Sequence, residues 1–251
     1  DLFLDGRPNP PLDAPSAPHA SRPRHVQPAP PFTFGRFDDR RILVTIAAYR
    51  DPELANTIAD AITQAAYPEH LRFAICHQFD DETIGVLDPW ADDPRVRVDA
   101  VHYSESRGCG WARSRTFAMF DDERYLLQID AHTRFAARWD ARFIDMLEAT
   151  GSDLPLLTTY PSRYTIAADG EVVYDLDAGS QQLYIEEVRA DLTTLQRTRP
   201  PADLTRPGPS PTLAAGLIFT RGQFCRDVDY DPQIYFAGEE ISLAARAFTS
   251  G

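Results

Sequence analysis

A short apolar run followed at once by a helical pattern places the tightest constraint on the fold. Residues 42–47 read Ile-Leu-Val-Thr-Ile-Ala, a nearly continuous run that is typical of a strand buried on both faces of a parallel sheet. Pro52 suits the first turn of a helix, and the apolar positions that follow recur every four residues, at Leu54, Ile58 and Ile62. The segment therefore predicts a strand, a loop of residues 47–51 at its carboxyl end, and a helix.

The same alternation continues through the first half of the chain. Residues 71–78 predict a second strand, residues 95–103 a third, and residues 125–129 a fourth. A helix between the third and fourth strands is predicted from near Trp111 to about Phe120. This order predicts an α/β fold with a central, mostly parallel twisted sheet flanked by helices.

Beyond residue 130 the pattern predicts two more helices and two more strands. The segments are 138–147 (helix), 154–160 (strand), 214–220 (strand) and a helix that Gly238 opens. The buried faces of the two helices should carry Phe143, Met146 and Leu147 in the first, and Ile241, Leu243, Ala244 and Phe248 in the second.

Two stretches lack apolar periodicity. Residues 1–38 hold nine of the 21 prolines and predict an extended, disordered arm, either a passive linker or a Pro-rich ligand for a partner. Residues 165–211 are polar, with Gly170 in a predicted hairpin turn, and suit an acceptor-binding insertion or a mobile loop. Residues 39–251 are then expected to form the folded domain.

Charge and cysteine usage exclude several classes of protein. The formal charge of −13 and the pI near 4.8 argue against nucleic acid as the main partner, because nucleic-acid binders concentrate positive charge.

Three widely spaced cysteines without a C-x-x-C pattern argue against a disulfide framework or a zinc knuckle, and fit reduced thiols in a cytoplasmic enzyme. No apolar run reaches the roughly 18 residues that a membrane span needs, and no export signal precedes the fold.

The fourth predicted strand ends in a motif that could bind a metal ion. Asp130 and His132 are separated by one small residue at the strand's carboxyl end. A carboxylate oxygen and an imidazole nitrogen at this spacing can both bind one divalent cation, Mn²⁺ or Mg²⁺, which could hold a diphosphate. The alternative is that Asp130 only caps the strand or starts a turn.

Polar groups at other strand ends are further candidates for the site. Arg50 suits a phosphate but also a solvated surface, and Gln78 could read the edge of a base or belong to a polar loop. Gly110 would let the backbone approach a ligand closely, and Arg113 in the following helix could face an anion. These residues predict a nucleotide or diphosphate site at one edge of the sheet.

Two acidic residues open the last predicted helix. Glu239 and Glu240 follow Gly238, and carboxylates in a first turn are favoured by the helix dipole. That stabilisation accounts for the pair as readily as a catalytic role, in which Glu239 or Glu240 would hydrogen-bond sugar hydroxyls.

Taken together, these motifs resemble a family of glycosyltransferases, typified by the cytoplasmic enzyme that attaches N-acetylglucosamine to hydroxyproline of a ubiquitin-ligase subunit. The resemblance covers roughly residues 41–251. The segments that carry it are residues 44–54, 110–113, 127–135, 139–140, 160–161 and 237–241. It implies a GT-A fold, a UDP-sugar donor, a divalent metal and retention of the anomeric configuration.

The resemblance also assigns roles by position. Asp130 and His132 match the family's metal and diphosphate motif. Matches to the nucleotide-binding segments are Ala47, Tyr49 and Arg50 in the first loop, and Gly110 and Arg113 beside uridine and diphosphate. Glu239 and Glu240 match the acidic pair beside the sugar, expected to be catalytic.

The sequence departs from the family pattern in two respects, the third metal ligand and the acceptor. GT-A enzymes usually take a third metal ligand, commonly a His, from nearer the C-terminus, whereas the last His here is His132. Either the chain is truncated, or water or the diphosphate completes the site. The acceptor, a hydroxyl of a protein or a small glycan, is not specified by any motif.

Two other functions compete with sugar transfer. A non-catalytic UDP- or sugar-binding module could keep the fold without turnover, which the absent third ligand makes conceivable. A nucleotidyltransferase on a similar sheet would instead attack the α-phosphate of a nucleoside triphosphate and release pyrophosphate.

Overall fold

The computed structural model describes residues 39–175, 181–190, 194–200 and 207–250. The predicted Pro-rich arm, residues 1–38, lies outside them. The strands are β1 Ile42–Tyr49, β2 Leu71–Phe79, β3 Val96–His102, β4 Tyr125–Asp130, β5 Leu156–Thr158, β6 Tyr164–Ile166, β7 Val172–Tyr174, β8 Gln182–Val188, β9 Thr194–Arg199 and β10 Leu217–Arg221. The helices are α1 Leu54–Gln64, α2 Cys109–Phe117, α3 Trp139–Glu148, α4 Phe224–Asp227 and α5 Glu239–Thr249.

A six-stranded sheet in the order β3-β2-β1-β4-β10-β5 forms the centre of the fold. Strands β3, β2, β1 and β4 pair in parallel, and β10 pairs antiparallel with both β4 and β5. The predicted α/β architecture with a mostly parallel sheet is confirmed.

Strand β1 is buried on both faces, as its continuous apolar run predicts. Val44 and Ile46 pack in the apolar cluster that includes residues of α1 and α3, whereas Leu43 belongs to the cluster on the other face, with residues of α2 and α5. Each such side chain contributes roughly 1.5–3 kcal/mol when fully removed from water. Burial therefore fixes β1 in the middle of the molecule.

The strand order reverses between β1 and β4. Strand β2 lies on one side of β1 and β4 on the other, and Ala47 pairs in register with Cys76 and Asp130. Open α/β sheets bind ligands where the strand order reverses in this way, outside the carboxyl ends of the strands. The fold thus places the first loop beside the predicted metal motif.

Two predicted helix faces are wrong in part. Met146 of α3 is 39% exposed, because the buried side of α3 runs through Asp140, Ile144 and Leu147. Asp140 turns inward since its carboxylate accepts the backbone N–H groups of Ala66 and Tyr67, at 2.7 and 2.8 Å.

In α5, Phe248 is 86% exposed, whereas Leu243 is buried. Five residues separate the two positions, which is about 140° around a helix of 3.6 residues per turn. Phe248 therefore lies away from the core, and the prediction that it belongs to the apolar face is wrong.

Two hairpins occupy the polar stretch after β5. Gly170 has φ +88° in the turn between β6 and β7, so the predicted hairpin turn is confirmed. Strands β8 and β9 pair antiparallel in a second hairpin that the sequence did not predict.

The cysteines Cys76, Cys109 and Cys225 are free. No helix in the described part of the chain has the length and apolar character to cross a membrane.

Candidate active site

The predicted metal motif lies at the open edge of the sheet. Asp130 ends β4, its side chain is 46% exposed, and its Oδ1 accepts a hydrogen bond from Arg113 Nη2 at 3.0 Å. Gly216 lies directly opposite: a Cβ added there would approach Asp130 Oδ2 to 2.6 Å. A glycine at 216 therefore gives the Asp130 carboxylate the space it occupies.

Helix α1 holds the loop that follows Asp130. The Thr57 hydroxyl donates to the carbonyl of Ala131 at 2.7 Å and accepts the N–H of Thr133 at 3.0 Å. The N–H of Phe135 donates to Asp60 Oδ2 at 2.6 Å. Side chains of one helix thus fix the backbone on both sides of residue 132.

His132 is exposed on this fixed loop. Its Nδ1 lies 2.8 Å from Asp51 Oδ2, and its side chain is 61% exposed whereas that of Asp51 is 16% exposed. The hydrogen bond to Asp51 raises the pKa of His132 above its ordinary value. Within the described residues, no hydrogen bond reaches the other ring nitrogen, Nε2.

Arg113 connects the metal motif to the acidic pair. Its buried guanidinium contacts Asp130, the carbonyl of Ala215, and Glu239 Oε1, with Nε 3.2 Å from that oxygen. Nε and Oε1 lack hydrogen-bond alignment, so this contact is mainly ionic. Burial disfavours the charge, but Tyr230 and the carboxylates hold the pKa of Arg113 above its ordinary value.

The predicted contact of Arg113 with a diphosphate stays a prediction. The guanidinium is paired with Asp130, Glu239 and the carbonyl of Ala215, and only 7% of the side chain is exposed. Arg113 orients Asp130 and Glu239 here.

Glu240 is held by donors from three separate segments. Its Oε1 accepts the N–H of Ala215 at 2.8 Å, and its Oε2 accepts Gln196 Nε2 at 2.9 Å. The hydroxyl of Tyr160 lies 3.3 Å from Oε2. Burial raises the pKa of Glu240. The second hairpin thereby reaches the acidic pair through β9.

The first loop presents Tyr49 and Arg50 at the end of β1. Tyr49 is 50% exposed and packs edge-on against Tyr103, with ring centroids 6.4 Å apart. Arg50 has φ +51°, its Nε donates to Asp80 Oδ2 at 2.5 Å, and its guanidinium lies over Tyr103 at 4.9 Å. The positive charge of Arg50 is therefore already paired with Asp80.

Gln78 is buried and both ends of its amide are engaged. Its Nε2 donates to the carbonyl of Ala48 at 3.2 Å, and its Oε1 accepts the hydroxyl of Ser106 at 2.6 Å. The amide ties β1 to the loop after β3. One N–H and one lone pair of the amide remain unused, but only 3% of Gln78 is exposed, so a base edge would have little access to them.

Gly110 faces protein backbone in place of open space. A Cβ at Gly110 would lie 2.5 Å from the carbonyl oxygen of Asp231. The N–H groups of Cys109 and Gly110 donate to the carbonyls of Tyr235 and Ile234, at 2.6 and 3.3 Å. The first amides of α2 are thus bound by the segment before α5.

A cavity of about 560 Å³ lies beside β3 and α2. It is lined by Val101, Ser104, Glu105, Ser106, Arg107, Trp111 and Arg115. Neither the predicted metal ligands nor the acidic pair of Glu239 and Glu240 lines it, so this cavity is separate from the edge near Asp130.

A family comparison gives this arrangement its context. The family model described as Glycosyltransferase (GlcNAc) matches residues 41–91 and 88–251. The chain belongs to this glycosyltransferase family. A comparison with curated proteins finds no match.

Solved structures confirm the predicted GT-A fold. GalNAc-T7, solved with UDP, GalNAc and Mn²⁺, is 18% identical with a TM-score of 0.62, over 82% of this chain and 40% of that one. Residues 1–349 of S. aureus TarS are 11% identical with a TM-score of 0.52, over 84% of this chain and 56% of that one. The chain thus spans less than two thirds of either structure.

The donor set suits a divalent cation only if other ligands join it. Among the described residues, no group of three or more His, Cys, Asp or Glu side chains is placed to hold a metal ion. Two atoms could serve as ligands: Asp130 Oδ2 and His132 Nε2, neither of which has a hydrogen bond to a described residue. Both side chains are substantially exposed. This pair fits a cation such as Mn²⁺ whose remaining ligands are water and diphosphate oxygens.

The sequence alone assigns no individual role to four residues that shape this site. Asp51 contacts His132, Asp80 pairs with Arg50, and Glu240 is contacted by Tyr160 and Gln196. Asp51 and Asp80 each follow a strand at the sheet's carboxyl edge, a position that could have indicated them. Gln196 lies in the unpredicted hairpin, and nothing local marks it.

Proposed function

We propose that this glycosyltransferase moves N-acetylglucosamine from a UDP-sugar to a hydroxyl acceptor, with the help of a divalent metal and with retention. One observation carries the proposal: Asp130 and Glu239 share the guanidinium of Arg113, so the metal motif and the acidic pair meet at one edge. The family's description names GlcNAc, and GalNAc-T7 was solved with UDP and Mn²⁺. Retention rests on the family resemblance.

In this proposal Asp130 and His132 hold the metal, Mn²⁺ or Mg²⁺. When bound, such a cation supplies positive charge that stabilises a diphosphate leaving group. Ala47, Tyr49 and Arg50 line the nucleotide side, with Gln78 and Gly110 shaping its floor. Arg113 keeps the Asp130 carboxylate oriented from behind.

The acidic pair serves the sugar side. Glu239 is fixed by Arg113, and Glu240 lies among Tyr160 and Gln196, a set of hydroxyl, amide and carboxylate groups that suits sugar hydroxyls. Glu239 or Glu240 orients the donor sugar or the attacking hydroxyl. The acceptor is a hydroxyl of a protein, as in the hydroxyproline-directed enzymes, or of a small glycan. The three free cysteines suit a cytoplasmic setting.

A donor screen tests the proposal directly. The chain is incubated with Mn²⁺ and a panel of UDP-sugars, and release of UDP is measured with and without a chelator. We expect metal-dependent release that is fastest with UDP-GlcNAc. UDP binding in calorimetry without release from any donor would support the non-catalytic module, and pyrophosphate release from a nucleoside triphosphate would support the nucleotidyltransferase.

Asp130→Asn should abolish this metal-dependent turnover, because an amide is a poor ligand for a divalent cation in place of a carboxylate. The matched control is Asp122→Asn, before β4, where Asp122 is exposed and has φ +58°, a conformation that Asn tolerates. We expect the control to keep wild-type turnover. Undiminished UDP release in Asp130→Asn, with the fold intact by circular dichroism, would remove the metal role.

A further inference from the structure

We propose that Asp51 is a positioning residue that fixes the ring of His132 with its Nε2 lone pair available to a metal ion. The inference rests on the proposed function, since it concerns the proposed metal site. It assigns a role to a side chain that does not itself touch the metal.

The hydrogen bond between the two residues determines the tautomer of His132. An ionised carboxylate only accepts hydrogen bonds, so the Nδ1 atom that lies 2.8 Å from Asp51 Oδ2 must carry the proton. In a neutral ring Nε2 then has the lone pair. That nitrogen belongs to a side chain that is 61% exposed, so it remains open to a ligand.

Asp51 is itself held in one orientation. Its Oδ1 accepts the N–H of Glu53 at 2.9 Å, which leaves Oδ2 for His132. Burial raises the pKa of Asp51, but hydrogen bonds from His132 and Glu53 outweigh this and hold it below its ordinary value. Glu53 in turn forms an ion pair with Arg134 of the loop. The start of α1 and the metal loop therefore form one connected unit.

A carboxylate on the far nitrogen of a metal-binding imidazole has a known physical effect. It fixes the ring orientation and raises the basicity of the nitrogen that binds, and loss of such a partner typically costs about 10–100-fold in metal affinity. A purely structural role for Asp51, as the acceptor for the N–H of Glu53 just before α1, would predict no such effect once that bond is kept.

Asp51→Asn separates these two roles. The amide oxygen can keep the bond to the N–H of Glu53, so the helix start is preserved. The amide NH₂ then faces His132 Nδ1 and donates to it, which places the ring proton on Nε2 and blocks the ligand position. Asp51→Ala removes both interactions, and Asp60→Ala frees the N–H of Phe135 in the same loop without contacting His132.

The experiment measures Mn²⁺ binding in the presence of UDP and the absence of any sugar donor, by the electron paramagnetic resonance signal of free Mn²⁺. We expect Asp51→Asn and Asp51→Ala to weaken Mn²⁺ binding by about 10–100-fold, and Asp60→Ala, which loosens the loop without contacting His132, to weaken it much less. Wild-type affinity in Asp51→Asn would overturn the proposal. Equal losses in Asp51→Asn and Asp60→Ala would also overturn it, because general loosening of the loop would then be the cause.

A second measurement does not depend on metal. In ¹⁵N-histidine-labelled protein without Mn²⁺, at a pH where the rings are neutral, nitrogen shifts report each tautomer, and His132→Gln identifies the resonances of His132. We expect Nδ1–H in the wild type and Nε2–H in Asp51→Asn. The same tautomer in both would overturn the proposal. If the wild type binds no Mn²⁺ at all, the proposed metal site is wrong and this inference is wrong with it. That outcome differs from unchanged Mn²⁺ affinity in Asp51→Asn and from an unchanged tautomer of His132.

Discussion

Two clusters of charged side chains meet at the carboxyl edge of the sheet, and they are built differently. The first is the metal loop, residues 130–134, which carries the two proposed metal ligands. Protein groups contact each ligand on one side only, so that His132 is 61% exposed and Asp130 is 46% exposed. The acidic cluster, Arg113 with Glu239 and Glu240, is enclosed, with Arg113 7% and Glu239 6% exposed. The polar groups of the first cluster are open to solvent, whereas those of the second are largely satisfied by the protein itself.

This difference has an energetic consequence. Changes in the metal loop should alter ligand binding and leave folding almost intact, since exposed polar groups contribute little to stability. Changes in the acidic cluster should alter folding as well, because they leave buried charges or donors without partners. Three substitutions test the comparison, beginning with the largest expected effect on stability.

Arg113→Met should lower the free energy of unfolding by about 3–5 kcal/mol, because it leaves the buried carboxylate of Glu239 without its ion pair. Denaturant unfolding measures the loss. Adding Glu239→Gln to the same chain should restore part of it by removing that charge. Arg226→Met is the control, since Arg226 forms an exposed pair with Asp122. A loss no larger than that of the control would show that the acidic cluster is not held by buried charge.

Glu240→Gln should lower the free energy of unfolding by about 1–3 kcal/mol. An amide has only one acceptor oxygen and cannot accept hydrogen bonds from Ala215, Gln196 and Tyr160 together, as a carboxylate does. We also expect turnover of UDP-sugar to fall more than UDP affinity, measured by calorimetry. The control Glu186→Gln alters an exposed pair with Arg197 on β8. Equal loss of turnover and UDP affinity would identify Glu240 as a structural residue of α5.

His132→Gln should change the free energy of unfolding by no more than about 0.5 kcal/mol, since its ring is mostly exposed. Mn²⁺ binding in the presence of UDP should nevertheless be strongly reduced. His70→Gln, remote from this loop in sequence, controls for the loss of an imidazole. A large fall in stability with unchanged Mn²⁺ binding would reverse the contrast between the two clusters.

The sequence predicts those parts of the fold that depend on local pattern. Strands β1 to β4 and helices α1 and α2 are confirmed within a few residues, because apolar periodicity and Pro52 act over short distances. The buried side of α3 was partly wrong, because Asp140 turns inward to bind backbone from a distant segment. No local pattern reports such a contact.

The same limit applies to the site. Asp130 and His132 could be predicted from their place at a strand end, and their roles remain predictions. That Arg113 is buried behind Asp130, and that Asp51 contacts His132, follow only from packing between elements far apart in sequence. Residue type and spacing predict which groups gather at an edge, whereas tertiary contacts decide which of them remain free for a ligand.

Strand β10 runs antiparallel to β4, so the chain enters β10 at the edge where it leaves β4. The carbonyl that receives Arg113 and the amide that binds Glu240 both belong to Ala215, just before that strand. Folding of the first four strands alone would place the loop after β1 and Asp130 without these anchors. Loop closure over a long sequence separation must therefore come before Asp130 and Glu240 are both anchored, and we expect the proposed sugar transfer to become possible only late in folding.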